Sequence, residues 1–371
     1  MFKASHLGLI GLAVCWAPVA QAADDWEKCK AGRGQEAIAA CSAIISGHDR
    51  SNGDLALAYL NRGLALDGAN RPKEAIDDFG QAVKLAPGMG EAYVNRGVAY
   101  MRLGQYGPAL EDFKSSYTRL RDPAPAYFNA GLAYSTLGQY DAAADAYSQA
   151  IRLDPKDVSS LNNRCYVDNM KGSYDSAIAD CGRALELDPK FSLAYVGRGN
   201  AHLLKQDYDA AIADYTKAIA LEPGRAATFS ARGSANSNKG NSDAEITDYS
   251  RAMELDPSLG RAWNGRCWAR AIKGLMKEAL ADCDKSLELL PKNASTLDSR
   301  GFTYMKLGDL DHALADYNAA LAIDPQHVTS LYGRGLVKRR KGDAEGGNAD
   351  IERAKRLQPT IVDDFKRYGI T

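Results

Sequence analysis

Six of the chain's seven cysteines fall into pairs: Cys29 and Cys41, 12 apart; Cys165 and Cys181, 16 apart; Cys267 and Cys283, 16 apart. Their chemistry is redox chemistry. An exported chain with an even number of matched cysteines forms disulfides, whereas a reduced chain keeps buried thiols as small hydrophobes. The spacing points to three bonds, Cys29–Cys41, Cys165–Cys181 and Cys267–Cys283, with six reduced core thiols as the alternative. No metal centre is expected, because two thiols without a nearby histidine pair do not make a zinc site.

A column of amides offers a different chemistry. Asn61, Asn95, Asn129 and Asn163 stand 34 residues apart. Asparagine is a mediocre helix former, so its recurrence asks for a reason. Its side chain carries both donors and an acceptor, which suits a peptide unit. One residue later runs a column of arginines, Arg62, Arg96, Arg164, Arg198, Arg232, Arg266, Arg300 and Arg334. Sixteen residues after each comes an aspartate: Asp78, Asp112, Asp180, Asp214, Asp248, Asp282, Asp316 and Asp350. The one break in the first column, Ala130, is matched by the one break in the second, Ala146. That joint loss argues for arginine–aspartate pairs, with an anion-binding stripe as the alternative. Catalytic signatures are missing: there is no phosphate loop, dinucleotide fingerprint, HExxH or GxSxG. His48, His202, His312 and His327 are scattered along the chain. Neither an enzyme nor a cofactor is expected.

The elements that must hold these columns repeat with the same step. Gly63, Gly97, Gly131, Gly199, Gly233, Gly301 and Gly335 keep the 34-residue register, with Cys165 and Cys267 in the same column. Pro87, Pro155, Pro189, Pro223, Pro257, Pro291, Pro325 and Pro359 mark the ends of the units. Proline stops a helix because it lacks the N–H and fixes φ. Ser192–Arg225 shows the unit whole: small residues at Gly199, Ala211 and Ala218, bulk at Tyr195, Tyr208 and Tyr215. This order of small, aromatic and proline positions resembles the tetratricopeptide repeat (TPR).

The resemblance covers 56–361 as nine repeats, with a degenerate repeat at 23–55 before them and a capping helix at 362–371 after them. It implies an all-α TPR solenoid, a right-handed superhelix of helix–turn–helix repeats, acting as a protein-binding scaffold. It also implies that the asparagine column lines a concave groove and holds an extended peptide by its backbone. Asn200, Arg261, Asn264 and Trp268 are expected on the same wall further along. TPR adaptors that clamp a C-terminal carboxylate carry lysine one residue before this column. Here that place reads Leu60, Val94, Phe128, Asn162, Val196, Ser230, Asn264, Asp298 and Tyr332. That clamp, and a cytosolic chaperone partner with it, is not expected.

Residues 1–22 read as a secretory signal: Lys3, the apolar run Leu7–Ala17, and the small-x-small site Ala20-Gln21-Ala22. A lipoprotein signal ending at Cys15 is the alternative. The 46 basic and 47 acidic residues give a net charge of −1, and removing Lys3 with the signal gives 45 − 47 = −2. Such a balance carries no nucleic-acid or anionic-membrane footprint. The middle of the array departs from its pattern. Asp168, His202, Asn236 and Arg270 replace a tyrosine column, and Glu245 stands in a column of alanines. An inter-repeat hydrogen-bond network is the first expectation there, a functional polar cluster the second. The expected function is a periplasmic or secreted adaptor holding an extended protein segment. The alternative is a structural or assembly subunit of an envelope machine, for secretion or peptidoglycan remodelling, bound through its outer face.

Overall fold

The computed structural model describes residues 17–31 and 33–370. Lys3 and Cys15 of the expected signal lie outside them. Among the described residues the regular structure is twenty-one α-helices and no strand. The chain divides into two compact units, residues 1–171 and 172–371.

Unit 1 holds α1 (Ala17–Lys30), α2 (Gly34–Ser46), α3 (Asn52–Gly68), α4 (Pro72–Leu85), α5 (Gly90–Arg102), α6 (Tyr106–Ser116), α7 (Ala124–Thr136), α8 (Tyr140–Leu153) and α9 (Val158–Lys171). Consecutive helices pack as hairpins. The contact inside each hairpin is set by size. A Cβ on Gly131 would stand 2.8 Å from Cζ of Tyr147, so only a hydrogen fits beneath that buried ring. In the first hairpin, Cys29 of α1 and Cys41 of α2 are fully buried and form a disulfide. Helix α6, in the repeat where Arg121 stands at the proline position and Pro123 follows two residues later, has 11 residues where α4 and α8 have 14.

Unit 2 holds α10 (Tyr174–Leu187), α11 (Ser192–Leu204), α12 (Tyr208–Leu221), α13 (Ala226–Lys239), α14 (Ser242–Leu255) and α15 (Gly260–Ile272). It continues with α16 (Met276–Leu289), α17 (Ala294–Leu307), α18 (Leu310–Ile323), α19 (Val328–Arg340), α20 (Ala344–Leu357) and the short α21 (Ile361–Arg367). The Cys267–Cys283 disulfide joins α15 to α16 at the two positions that glycine and an aromatic ring fill elsewhere. The last helix lays Ile361 and Phe365, 0% and 2% exposed, against the end of the stack.

The arginine and aspartate columns meet inside the hairpins. In unit 1, Arg62 donates from Nε and Nη2 to Asp78 at 2.7 Å each, and Arg96 grips Asp112 the same way. In unit 2 the pairs are Arg198–Asp214, Arg232–Asp248, Arg266–Asp282, Arg300–Asp316 and Arg334–Asp350. Guanidinium and carboxylate match as planar forks, so each pair fixes the angle between its helices more than it adds stability. Where the pair is lost, Ala130 and Ala146 are buried instead. The guanidinium faces are thus committed within the fold, and the anion-stripe alternative fails.

The polar departures are a correction to the sequence expectation. Asn236 donates to Asp248 at 3.0 Å and Arg270 to Asp282 at 2.6 Å, both within their own hairpins. Each sits four residues after the column arginine, on the same helix face, and so reaches the same carboxylate. His202 lies 3.4 Å from Asp207 in its own turn. These bonds tie helices within repeats rather than between them.

Candidate functional site

Successive first helices touch in each unit: α3 with α5, α5 with α7 and α7 with α9 in unit 1. A residue at one fixed helical position therefore recurs along one wall. Asn61, Asn95, Asn129 and Asn163 occupy that position on α3, α5, α7 and α9. Asn61 is buried, 9% exposed, and the other three are half-buried. Asn95 already donates one amide hydrogen to the Glu91 carbonyl at 2.8 Å, which fixes its rotamer and leaves its oxygen free of that bond. Asn162 reaches the Asn163 oxygen at 3.5 Å, and Tyr166, on the same helix, is exposed. Cys165, on α9, is fully buried.

Of the four wall residues expected in unit 2, Arg261, Asn264 and Trp268 stand at i, i+3 and i+7 of α15, and Asn200 stands on α11. Arg261 is exposed and lines a cleft with Leu290, Pro291 and Asn293. Trp268 lines a different and larger cavity. Asn200 is held by the Tyr215 hydroxyl, which donates to its oxygen at 2.7 Å. The Asn264 oxygen is buried without a hydrogen-bond partner. At two places of the amide column in this unit, Gly265 and Gly333, there is no room for a side chain, whereas Ala231 and Ser299 keep one. A Cβ on Gly265 would stand 2.8 Å from the Tyr249 hydroxyl, and one on Gly333 would stand 2.8 Å from Cε1 of Tyr317. The aromatic ring of the preceding hairpin occupies the space a side chain would need.

The larger cavity, about 790 Å³, opens on the first-helix face of unit 2. Ser237 and Asn238 of α13, Glu245 of α14, Trp268 of α15, Asp298 and Ser299 of α17, His327 capping α19 and Thr329 in its first turn line it, together with Tyr368 just after α21. The Trp268 ring lies 4.9 Å from Phe302 and 4.9 Å, edge to face, from Tyr368. Lys306 donates to the carbonyl of Ala271 at 3.0 Å and of Tyr368 at 3.4 Å, which anchors the capping segment beside the cavity. Burial pushes the pKa of Lys306 below the usual lysine range.

Two carboxyls stand in this cavity in different conditions. Asp298 is satisfied: it accepts from Thr329 Oγ1 at 2.8 Å and Ser330 Oγ at 2.7 Å, with His327 Nδ1 at 3.8 Å. Desolvation still raises its pKa above the usual carboxylate range. Glu245 is 2% exposed, and its Oε1 has no hydrogen-bond partner. Burial pushes its pKa up to about 7, against the pull of the Ser237 hydroxyl. The sequence singled out Trp268 and marked Glu245 as out of place. It gave no reason to place Asp298, His327 and Tyr368 beside them. The one available signal was an acid, Asp298, at the position where carboxylate-clamping relatives carry lysine.

Among the described residues, no helix is long and apolar enough to cross a membrane. Three tetratricopeptide-repeat families match the chain: one over 124–157 and 192–225, one over 301–342 and one over 60–125. A comparison with curated proteins gives no match. Among solved structures, a tetratricopeptide repeat protein from Parabacteroides merdae superposes with a TM-score of 0.54 at 17% identity, over 72% of this chain and 98% of that one. YrrB, described as a TPR protein with an unusual peptide-binding site, gives 0.44 at 25% identity, over 52% of this chain and 98% of its own. MamA gives 0.42 at 26% identity, over 43% and 94%. The matched repeats, the helix hairpins and their small-to-aromatic contacts agree: the chain is a member of the tetratricopeptide-repeat family, with the all-α solenoid fold.

Proposed function

We propose that this chain is an exported, non-enzymatic adaptor that holds an extended protein segment against the first helices of its repeats. The observation that carries this is the asparagine column of unit 1. Four amides stand at one position of four helices that touch in order. A helix-packing step of roughly 10 Å matches about three residues of extended chain. An extended segment can thus meet an amide at every third residue through its backbone, with little demand on its sequence. Each neutral hydrogen bond contributes about 0.5–1.5 kcal/mol net, so the column supports micromolar rather than tight binding. Export is supported by the first 22 residues and by the buried disulfides Cys29–Cys41 and Cys267–Cys283, which belong in an oxidising compartment.

The test uses a chain without structure of its own, reduced and carbamidomethylated α-lactalbumin, followed by fluorescence anisotropy. Asn95→Ala and Asn129→Ala should each weaken binding about three- to tenfold. Affinity that survives substitution of all four asparagines removes the groove from the account. A second reading then takes its place. Leu187, Leu221, Ile323 and Leu357 recur at one register near the ends of second helices in unit 2, 39–45% exposed. Such a row offers an outer docking face for an assembly role.

A further inference from the structure

The cavity of unit 2 contains a carboxyl that packing does not require. At the place of Glu245, the other second helices of the 34-residue series carry alanine (seven times, Ala211 and Ala279 being the neighbours) or Gly347. A small residue serves the helix contact there. Glu245 instead buries a carboxyl and leaves one oxygen without a hydrogen-bond partner. A buried acceptor with nothing to accept from lowers stability. A donor can approach through the cavity of about 790 Å³ that Glu245 lines, and a small rotation of the side chain uncovers the oxygen, which is buried as it stands.

The surroundings say what kind of donor fits. The cations at the rim are already engaged, Lys239 with Asp209 and Arg367 with Asp364. Asp298 is filled by Thr329, Ser330 and His327. What remains open is the Glu245 oxygen, with the rings of Trp268 and Tyr368 lining the same space. Aromatic faces attract cations, and a guanidinium in particular stacks on rings while donating hydrogen bonds from its edge.

We infer that this cavity is a seat for a basic side chain, arginine above all, carried by the protein segment that the scaffold holds. The guanidinium enters the cavity beside the packed rings of Trp268 and Tyr368 and donates to the free oxygen of Glu245. The inference rests on the groove reading and adds a sequence requirement to it: a basic residue in the bound segment. A nearly neutral pKa suits such a seat, since the carboxyl can stay protonated while empty and ionise when a cation arrives.

The seat can be read without any bound segment. N-acetyl-argininamide and its neutral isostere N-acetyl-citrullinamide are titrated into the full chain and followed by saturation-transfer difference NMR. The arginine amide should bind at least tenfold more tightly than the citrulline amide. Glu245→Ala should abolish that preference, and it places in the chain the residue that seven sister helices carry, so the fold is kept. Glu245→Gln, close in shape, should abolish it as well. Equal binding of the two amides, binding of neither, or a preference that survives Glu245→Ala overturns the inference. A chain that binds unfolded α-lactalbumin but shows no arginine preference loses the seat and keeps the groove. An arginine preference without binding of the unfolded chain keeps the seat and removes the groove.

Discussion

Arg198 and Asp214 are joined by two parallel hydrogen bonds, Nε to Oδ2 at 2.8 Å and Nη2 to Oδ1 at 2.7 Å, across the hairpin of α11 and α12. The Tyr195 ring covers the guanidinium, its centroid 5.7 Å from Cζ. The aspartate side chain is 8% exposed and the arginine 27%. Removing only the arginine leaves a buried carboxylate without its counter-charge. Arg198→Ala should therefore cost about 2 kcal/mol, below the range for fully buried pairs because the arginine keeps some contact with water. Replacing both residues with alanine should cost less than Arg198→Ala alone, as the alanine pair Ala130 and Ala146 already lives in the same place. Urea unfolding of Arg198→Ala, Asp214→Ala and the double variant decides it. A double-variant loss equal to the sum of the single losses means that the two side chains are not coupled.

Glu245 should make stability depend on pH in a defined direction. Its carboxyl titrates near 7 in the folded chain against an ordinary 4.5, so the folded state holds the proton more firmly than the unfolded state does. Ionisation therefore costs no stability below about pH 4.5. The cost grows through the interval and is complete above about pH 7, where it reaches roughly 3 kcal/mol. Asp298, His327, Tyr208, Tyr368, Lys239 and Arg367 face the same cavity, and all of them remain in a Glu245→Ala variant. The difference in Tm between variant and wild type isolates Glu245. It should favour the variant at pH 8 and shrink toward pH 5. A difference that stays flat with pH contradicts the buried, unpartnered state of this carboxyl.

The cysteines should be fully oxidised in the exported chain. Unfolded protein beginning at Ala23 should show no reactive thiol, and a non-reduced digest should contain Cys29–Cys41, Cys165–Cys181 and Cys267–Cys283 as linked peptides. Each bond closes a loop of a dozen or so residues and contributes roughly 3 kcal/mol in the chain-entropy account. Reduction should accordingly lower the midpoint of denaturation. Six titratable thiols in protein taken from the envelope would be incompatible with this state.

Gly265 is a packing residue, and alanine there should be harmful. Elsewhere in a helix, glycine to alanine gains about 1 kcal/mol. Here the added Cβ would stand 2.8 Å from the Tyr249 hydroxyl, closer than any relaxed contact. Forcing the ring aside should turn the gain into a loss of about 1–3 kcal/mol. Chemical denaturation of Gly265→Ala measures this, and a more stable variant would mean that Tyr249 moves freely.

Much of this molecule is legible in its sequence, because a fixed step of 34 residues places each column in one recurring environment. The pairing of glycine with ring, cysteine with cysteine and arginine with aspartate follows from columns that change together, as Ala130 and Ala146 do. The partners of Asn236 and Arg270 were legible only through a second spacing: four residues after a column arginine, each lies on the face that meets the carboxylate of its own hairpin, which the 34-residue step alone does not show. The cavity of unit 2 lies further still beyond the sequence. Glu245, Trp268, Asp298 and Tyr368 come from α14, α15, α17 and the segment after α21, and no shared spacing links them. Only the stacking of those helices, with the capping segment anchored by Lys306, brings an unpartnered carboxyl and two aromatic rings to one space, because burial and proximity are properties of packed surfaces rather than of order along the chain.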